Sequence, residues 1–477
     1  MTYNPNANWT AKAQLPHQAP RYYLVMEGVS AFRFSTGAIK GASTTYKPYM
    51  QTPRGVTQEI FPLQGRSTIG SLNIELVDVD DEVTNLLSPG QIVATWINRE
   101  MTLFGGYADL DEADYAELFR GQVSDWDMDK ASYTIGIRDL KRTTLEDVMT
   151  NATELAPTTL TGNPINIWYA LMTGDFANGT FPVTVSGATA TGLNVSASLI
   201  DTTHLAAERD EWLFAWLMRF EFREKRKAKD FFEKELFKIK GYPIIRGSGK
   251  LSVRLYHPAH PAEPSQNLTM DTIIGTPPAR PMFDDHLNDV KIHGDHDPDF
   301  VDPAPEFVEL FSFVDSADIT ATKERKKLLV ESKGLRTDLD GVRNARFAGN
   351  RIRQRFLKPP IETEVQTLFS KRMLEVGDIV GVSHRNLPDM DTGARGWTLE
   401  QCEVTRAVPD FRKGVMRFTL ITTNFGTRYR VIAPTLFSGS PFPNYTAQTQ
   451  AQKDKYCSIA DSPTELFTNG DLAHQII

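Results

Sequence analysis

Over several short stretches of this chain apolar residues fall at every second position, and that period restricts the fold more than any other feature. Leu72, Ile74 and Leu76 alternate with Asn73, Glu75 and Val77, and the run ends in an acidic turn from Asp78 to Glu82. A period of two sends successive side chains to opposite faces, as a strand with one buried face requires. Tyr22, Leu24 and Met26 set the pattern upstream, and a short helix carrying Val83, Leu86 and Leu87 follows the acidic turn. Ile92, Ala94 and Trp96, then Met101 and Leu103, then Phe119 to Val123, and finally Tyr133, Ile135 and Ile137 continue it, with Gly105-Gly106 read as a turn and Asp139 as the exit. So many short alternating segments predict an antiparallel β region.

The same grammar returns between Ile361 and Phe425, around Leu374-Glu375-Val376-Gly377-Asp378-Ile379-Val380-Gly381-Val382. Gly377-Asp378 suits a turn, because glycine reaches positive φ without penalty. Trp397, Leu399, Cys402 and Val404, then Val415, Phe418, Leu420 and Ile421, supply further strands. Just upstream, Val342, Ala345, Ala348, Gly349, Ile352 and Phe356 predict a helix with its apolar face against that late sheet, Asp340 as N-cap and Pro359-Pro360 as the stop. Between the two β regions the signals differ. Asn163-Pro164 starts a helix bearing Ile165, Trp168, Leu171 and Met172. Leu205 to Lys240 carries the longest helical pattern, broken near Glu221 to Lys227. Leu251 to Leu255 reads as a strand, Pro258, Pro261, Pro264, Pro277, Pro278 and Pro281 favour an extended linker, and Asn288, Val290 and Ile292 with Phe307 to Phe313 return to strands.

The expected fold class is therefore mainly β with a helical insertion (α+β). Residues 1–21 form an N-terminal arm, 22–150 a first β domain, 151–282 a helical or mixed insertion, 283–430 a second β domain with one amphipathic helix, and 431–477 an extended C-terminal arm. A chain of 477 residues is too long for one core. Its net charge of −8 argues against broad nucleic-acid affinity, which needs a basic face. It has no run of 18 apolar residues, and Met1 to Pro20 is polar, so neither a membrane-spanning segment nor a cleaved leader is expected. Two cysteines, Cys402 and Cys457, cannot build a four-cysteine metal or iron–sulfur site, and Cys402 lies in a predicted strand as a small buried hydrophobe.

Each group of chemistry-bearing residues has a plain structural reading. His293-Gly294-Asp295-His296-Asp297-Pro298-Asp299 gathers metal-ligating types but reads as a solvated loop after a strand. Asp109 to Asp114 lacks the glycine and the distal glutamate of a calcium loop and reads as an acidic turn. Cys402 with His384, or Cys457 with His474, lacks the flanking signature of a thiol nucleophile, and neither a Gly-x-Ser-x-Gly elbow nor a phosphate-binding loop occurs. Arg343, Arg346, Arg351, Arg353 and Arg355 read as the solvated face of an amphipathic helix, with an acidic partner as the competing reading. Trp212, Phe214, Trp216, Phe220 and Phe222, with Phe231, Phe232 and Phe237, suit either core packing or a subunit interface. No catalytic, cofactor-binding or metal-binding residue is assigned.

In serial order, Gly70 to Asp78, Phe119-Arg120-Gly121-Gln122-Val123, Tyr133 to Asp139, Asn163-Pro164 with Trp168 to Met172, Gly249 to Val253, Leu287 to Val290 and Leu374 to Val380 resemble the tail hub proteins of long-tailed bacteriophages and related gene transfer agents. The resemblance implies two tail-tube-like antiparallel β domains flanking a mixed helical region, and a trimer whose six β domains match a sixfold tail tube. It implies as partners the distal tail protein ring and tail tube, a tail fibre or spike protein, and the tape measure protein. DNA would pass through a central channel without specific binding, in a virion component that is not an enzyme and holds no cofactor. Some relatives continue into a peptidase, lysozyme or fibre region or hold an iron–sulfur cluster, and this chain has none of these. The competing expectations are a distal tail ring protein and a β-rich carbohydrate-binding or hydrolytic adhesin.

Overall fold

The computed structural model describes residues 7–15, 19–87, 96–213, 216–238, 240–255, 266–301, 305–389 and 393–423. The chain opens with α1 (Ala7–Ala13), β1 (Pro20–Met26) and β2 (Val29–Ser35), then β3 (Gln58–Phe61), β4 (Arg66–Ser67) and β5 (Ser71–Val77). Helix α2 (Glu82–Leu87) leads to β6 (Glu100–Tyr107), the long β7 (Ala116–Asp129) and β8 (Ser132–Arg138). Next come β9 (Asp147–Val148), β10 (Thr158–Gly162), α3 (Pro164–Thr173), β11 (Val183–Gly187), α4 (Thr202–Trp212), β12 (Met218–Phe222), β13 (Arg226–Lys227), α5 (Ala228–Phe231), β14 (Gly241–Ile245) and β15 (Leu251–Leu255). The rest is β16 (Ala279–Pro281), β17 (Asp289–Gly294), β18 (Val308–Val314), α6 (Ser316–Thr322), β19 (Lys327–Glu331), α7 (Gly341–Phe356), β20 (Ile361–Leu368), β21 (Ile379–Pro388), β22 (Arg395–Asp410) and β23 (Val415–Thr422).

The protein is mainly β, and its larger sheets are antiparallel. One sheet has the order β2-β1-β6-β7-β8-β5, and alternation in β5 buries Leu72, Ile74 and Leu76 while Ser71 and Asn73 face out. A late sheet has the order β16-β20-β23-β22-β3-β4, with β21 paired to β22. Strand β3 thus leaves its sequence neighbours and joins the late sheet, pairing Gln58 with Ala407 and Glu59 with Arg406. Both sheets share one hydrophobic core, and the Tyr22 hydroxyl donates across it to the Phe411 carbonyl at 2.7 Å. Helix α1 docks on the same core through Trp9, whose indole donates to the Gly105 carbonyl at 3.0 Å.

A second core gathers α3, β10, β12, β15, β17 and α7. Helix α3 begins as its residues predict: the Asn163 side chain accepts from the Ile165 amide, Pro164 takes the first turn, and Gly174 closes the helix at φ 75°. Helix α7 also forms, but it packs on β17 and β18 and not on the late sheet. Gly349 permits the close approach to β18: a Cβ there would lie 2.3 Å from the Phe311 ring. Asp340 precedes α7 in the left-handed region without capping it through its side chain.

Other expectations are corrected in the same way. The helical pattern from Leu205 to Lys240 resolves into α4, the strands β12 and β13 and a short α5, because Met218, Phe220 and Phe222 alternate at period two and pair with β10. Gly105 and Gly106 lie inside β6, where a Cβ on Gly106 would meet the Tyr115 ring at 2.7 Å, so close packing and not a turn requires them. The proline-rich segment is docked where it is described: Leu268 bridges Val382, Ile273 bridges Thr367, and β16 with Pro281 takes the sheet edge, where a missing amide costs nothing. The strand expected at Ile92 and Ala94 lies outside the described residues, as does the C-terminal arm. Among the described residues no helix is long and apolar enough to cross a membrane.

Candidate functional site

The two cores meet at a seam built from buried charge. Its late-sheet side is the corner before β21, where Gly377 takes φ 85° and a Cβ there would lie 2.8 Å from both the Arg254 side chain and the Tyr242 hydroxyl. Only glycine fits that contact and that backbone. Asp378 follows, accepting from the Glu375 amide at 2.8 Å and from the Arg254 guanidinium at 2.7 Å. On the other side Arg254 donates to Glu208 of α4 at 3.1 Å, and Glu208 also accepts from the Leu255 amide at 3.0 Å. His204, one helical turn before Glu208, lies 3.3 Å from that carboxylate and 2.7 Å from the Ser252 hydroxyl. One guanidinium therefore ties a helix of the second core to the corner of the late sheet.

Two further links extend the seam. Arg355, fully buried at the end of α7, ion-pairs with Glu403 of β22, and Glu403 also accepts from the Tyr242 hydroxyl. Glu375 accepts from the Gly247 amide and pairs with Arg246 at 3.0 Å. Burial alone would pull the Arg254 guanidinium down, but Asp378 and Glu208 outweigh it and hold its pKa above the ordinary value. Burial would raise Glu208, yet the His204 bond and Arg254 bring it below the usual carboxylate range. Burial pushes Glu375 up and His204 down, and it combines with the Glu403 charge to push the Tyr242 phenol up. A buried pair broken by losing one partner is strongly destabilised, so this network makes the register between the two cores hard to change.

A small cleft of about 80 Å³ opens where the first sheet, the β14–β15 turn and the late sheet converge. Arg372 crosses it to donate to the Glu117 and Leu118 carbonyls at 3.0 and 2.8 Å, while Arg120 pairs with Glu117 and Glu100 at 2.7 and 3.0 Å. These cations hold parts of this chain to each other. The chemistry of the junction is cohesion.

The residue groups singled out from sequence are dispersed. Asp295 accepts from Thr337, His296 lies 3.3 Å from Glu306, Asp299 pairs with Arg223 at 2.6 Å, and His293 lies 4.0 Å from Glu309. Among the described residues no three His, Cys, Asp or Glu side chains converge as a metal-ligand set. In the acidic turn, Asp109 pairs with Lys12, Asp111 with Lys40, and Asp114 accepts from Asn8. Cys402 is buried in β22, where burial keeps its thiol protonated, whereas Cys457 and His474 lie outside the described residues. Of the arginine series, Arg343 pairs with Asp340, Arg351 lies over the Phe347 ring and Arg353 over Phe313. Arg355 departs from the solvated reading altogether. Phe220, Phe222, Phe231, Phe232 and Phe237 are core residues, while Phe214 and the Trp212 side chain lie outside the described residues.

Sequence reading missed the seam. Its signal was Arg254 inside Leu251 to Leu255, a charge in a strand whose five residues are all buried.

No protein-family model matches the chain, and no curated protein does. Solved structures resemble it at low identity. A 43 kDa tail protein of prophage MuSo2 from Shewanella oneidensis superposes with TM-score 0.42 at 12% identity, over 85% of this chain and 99% of that one. A tail protein from Neisseria meningitidis gives 0.43 and 10%, over 85% and 96%. A prophage tail protein from Listeria monocytogenes gives 0.41 and 8%, over 84% and 94%.

Proposed function

We propose that the chain is a structural hub at the tip of a phage-type tail, assembled as a trimeric ring that continues the tail tube channel. What supports the reading is where the resembling segments fall. Gly70 to Asp78, Phe119 to Val123 and Tyr133 to Asp139 are β5, part of β7 and β8, and they are neighbours in the order β7-β8-β5 of one sheet. The residues that flank Gly249 to Val253, Gly247 and Arg254, bond Glu375 and Asp378 within Leu374 to Val380, at the seam. Segments that look unrelated along the sequence thus form contiguous units. In this reading residues 22–150 and 283–430 supply the two β units facing the ring, with β17 and α7 of the latter packed into the second core, 151–282 the part between them, and 431–477 an arm toward neighbours, whereas the expected arm 1–21 is held on the shared core through Trp9. Partners are the distal tail protein ring and tail tube above, a fibre or spike below, and the tape measure protein within. DNA passes the acidic chain without being held.

The test is the state of the purified chain. Light scattering should give roughly 160 kDa, three chains of 53.5 kDa each, and particle images should have threefold order. A sixfold ring would favour the distal tail protein instead. A monomer that retains or cleaves glycans would favour the adhesin.

A further inference from the structure

Helix α3 is followed by a turn, Asp175 to Phe181, whose hydrogen bonds gather on one asparagine side chain. The Asn178 oxygen Oδ1 accepts from the Thr180 amide at 3.0 Å and from the Phe181 amide at 3.1 Å. Its nitrogen Nδ2 donates to Asp175 Oδ2 at 3.0 Å. Asparagine favours turns because its side chain can fold back on its own backbone in this way. Two donors at one end and a carboxylate at the other also fix which end is oxygen and which is nitrogen. The next residue leaves room: Gly179 is exposed, and a Cβ built on it would find no atom within 4 Å. Its amide nitrogen is unhindered beside the Asn178 carboxamide carbon Cγ.

An asparagine that precedes glycine can react with the backbone, because the glycine nitrogen and Cγ close a five-membered ring and no side chain obstructs the approach. The structure adds a setting for the charge. When the Gly179 nitrogen attacks Cγ, negative charge develops on Oδ1, and the Thr180 and Phe181 amides already point at that oxygen within the range such donors need. They form an oxyanion pocket around a group of the chain itself.

We infer that Asn178-Gly179 is a self-modifying site, at which the folded chain converts its own asparagine to aspartate and isoaspartate. The Gly179 nitrogen gives its proton to solvent hydroxide and bonds to Cγ. The Cγ–Nδ2 bond then breaks, and Nδ2 takes a proton from water and leaves as ammonia. Water opens the resulting succinimide at either of its carbonyls, so that one water is consumed for each ammonia released and nothing is oxidised or reduced. The product undoes the turn that made it. A carboxylate at position 178 faces Asp175 where an amide had donated, and like charges at that separation repel. Phe181 is buried with its ring stacked on Tyr169 of α3 at 4.4 Å, and Arg209 of α4 lies over the same ring and bonds the Thr180 carbonyl. Modification therefore loosens the second core where α3 and α4 meet this turn. The inference is independent of the ring reading.

The experiment incubates the full chain in mildly alkaline water enriched in heavy oxygen, folded in one sample and unfolded in guanidinium in the other. Mass spectrometry of the peptide that holds Asn178 then counts conversions, each of which adds one heavy oxygen. The folded chain should convert Asn178 roughly 10-fold faster than the unfolded chain or more, since losing one oxyanion donor costs an enzyme about 100-fold. Asn469-Gly470, the other Asn-Gly pair of the sequence, is the reference for the unfolded rate. Asn178→Gln, whose extra methylene cannot close the five-membered ring, should abolish the label. Asn178→Asp should lower the thermal melt, and Asp175→Asn in the same chain should restore it. A folded chain that converts no faster than the unfolded one overturns the site. Label that persists at the folded rate in Asn178→Gln, or a melt that Asn178→Asp leaves unchanged, does so too.

Discussion

Arg355 and Glu403 show how a single buried pair joins distant parts of this chain. Replacing Arg355 by Met leaves the carboxylate facing the Tyr242 hydroxyl without its cation, and the expected cost is about 3–5 kcal/mol. Adding Glu403→Leu should recover most of that, since a well-packed apolar pair is often as stable as a buried ionic one. Urea unfolding of the two variants checks both statements, and equal loss in each would contradict them. Lys240 gives the pH dependence. Burial holds its ammonium down to about 7 from an ordinary 10.5, with Glu235 opposing only in part. Between those values the unfolded chain keeps a proton that the folded chain has released, so this group makes stability rise with pH from about 7 toward 10.5. Below 7 both states are protonated and the full burial cost remains. Lys240→Met should therefore be more stable than the wild type at pH 6 and lose that advantage near pH 10, as urea midpoints at the two values would reveal; each unit of depression corresponds to about 1.4 kcal/mol. A difference independent of pH would contradict this.

Among the elements, α7 sets two effects against each other at Gly349. Alanine there gains roughly 1 kcal/mol of helix propensity, but its Cβ would sit 2.3 Å from the Phe311 ring, and overpacking of that kind costs about 1–3 kcal/mol. Net destabilisation is expected, relieved by Phe311→Leu, and thermal melts of the single and double variants decide it. The same helix marks where sequence reading stops. Its period, from Ala345 to Phe356, is plain in the residues, and so are the alternation of β5 and β8 and the Asn163-Pro164 start of α3. What a period cannot say is which sheet receives the apolar face, because β18 and the late sheet both offer one. Met218 to Phe222 failed for another reason: large aromatics satisfy a helical and a period-two pattern at once over five residues, and only pairing with β10 settles the choice.

At the scale of the whole molecule, the seam should make the two cores unfold together. Arg254→Met would leave Glu208 and Asp378 buried without their shared cation. Hydrogen exchange should then find α4, β10 and β12 losing protection before β5 and β8, whereas uniform loss would mean that the cores were never coupled through this residue. That junction was hard to read from the sequence because Glu208, Arg254 and Asp378 are far apart along it, and of the three Arg254 alone stands out, as a charge within Leu251 to Leu255. Strand β3 carries a consequence of another kind. Its partner in β22 and the Tyr22–Phe411 bond, which spans 389 positions, both wait on residues near the far end of the chain. A ribosome making this protein would expose the first sheet's apolar underside throughout translation of everything between, and closure of such long loops is slow. That surface is therefore covered only once the last strands have emerged.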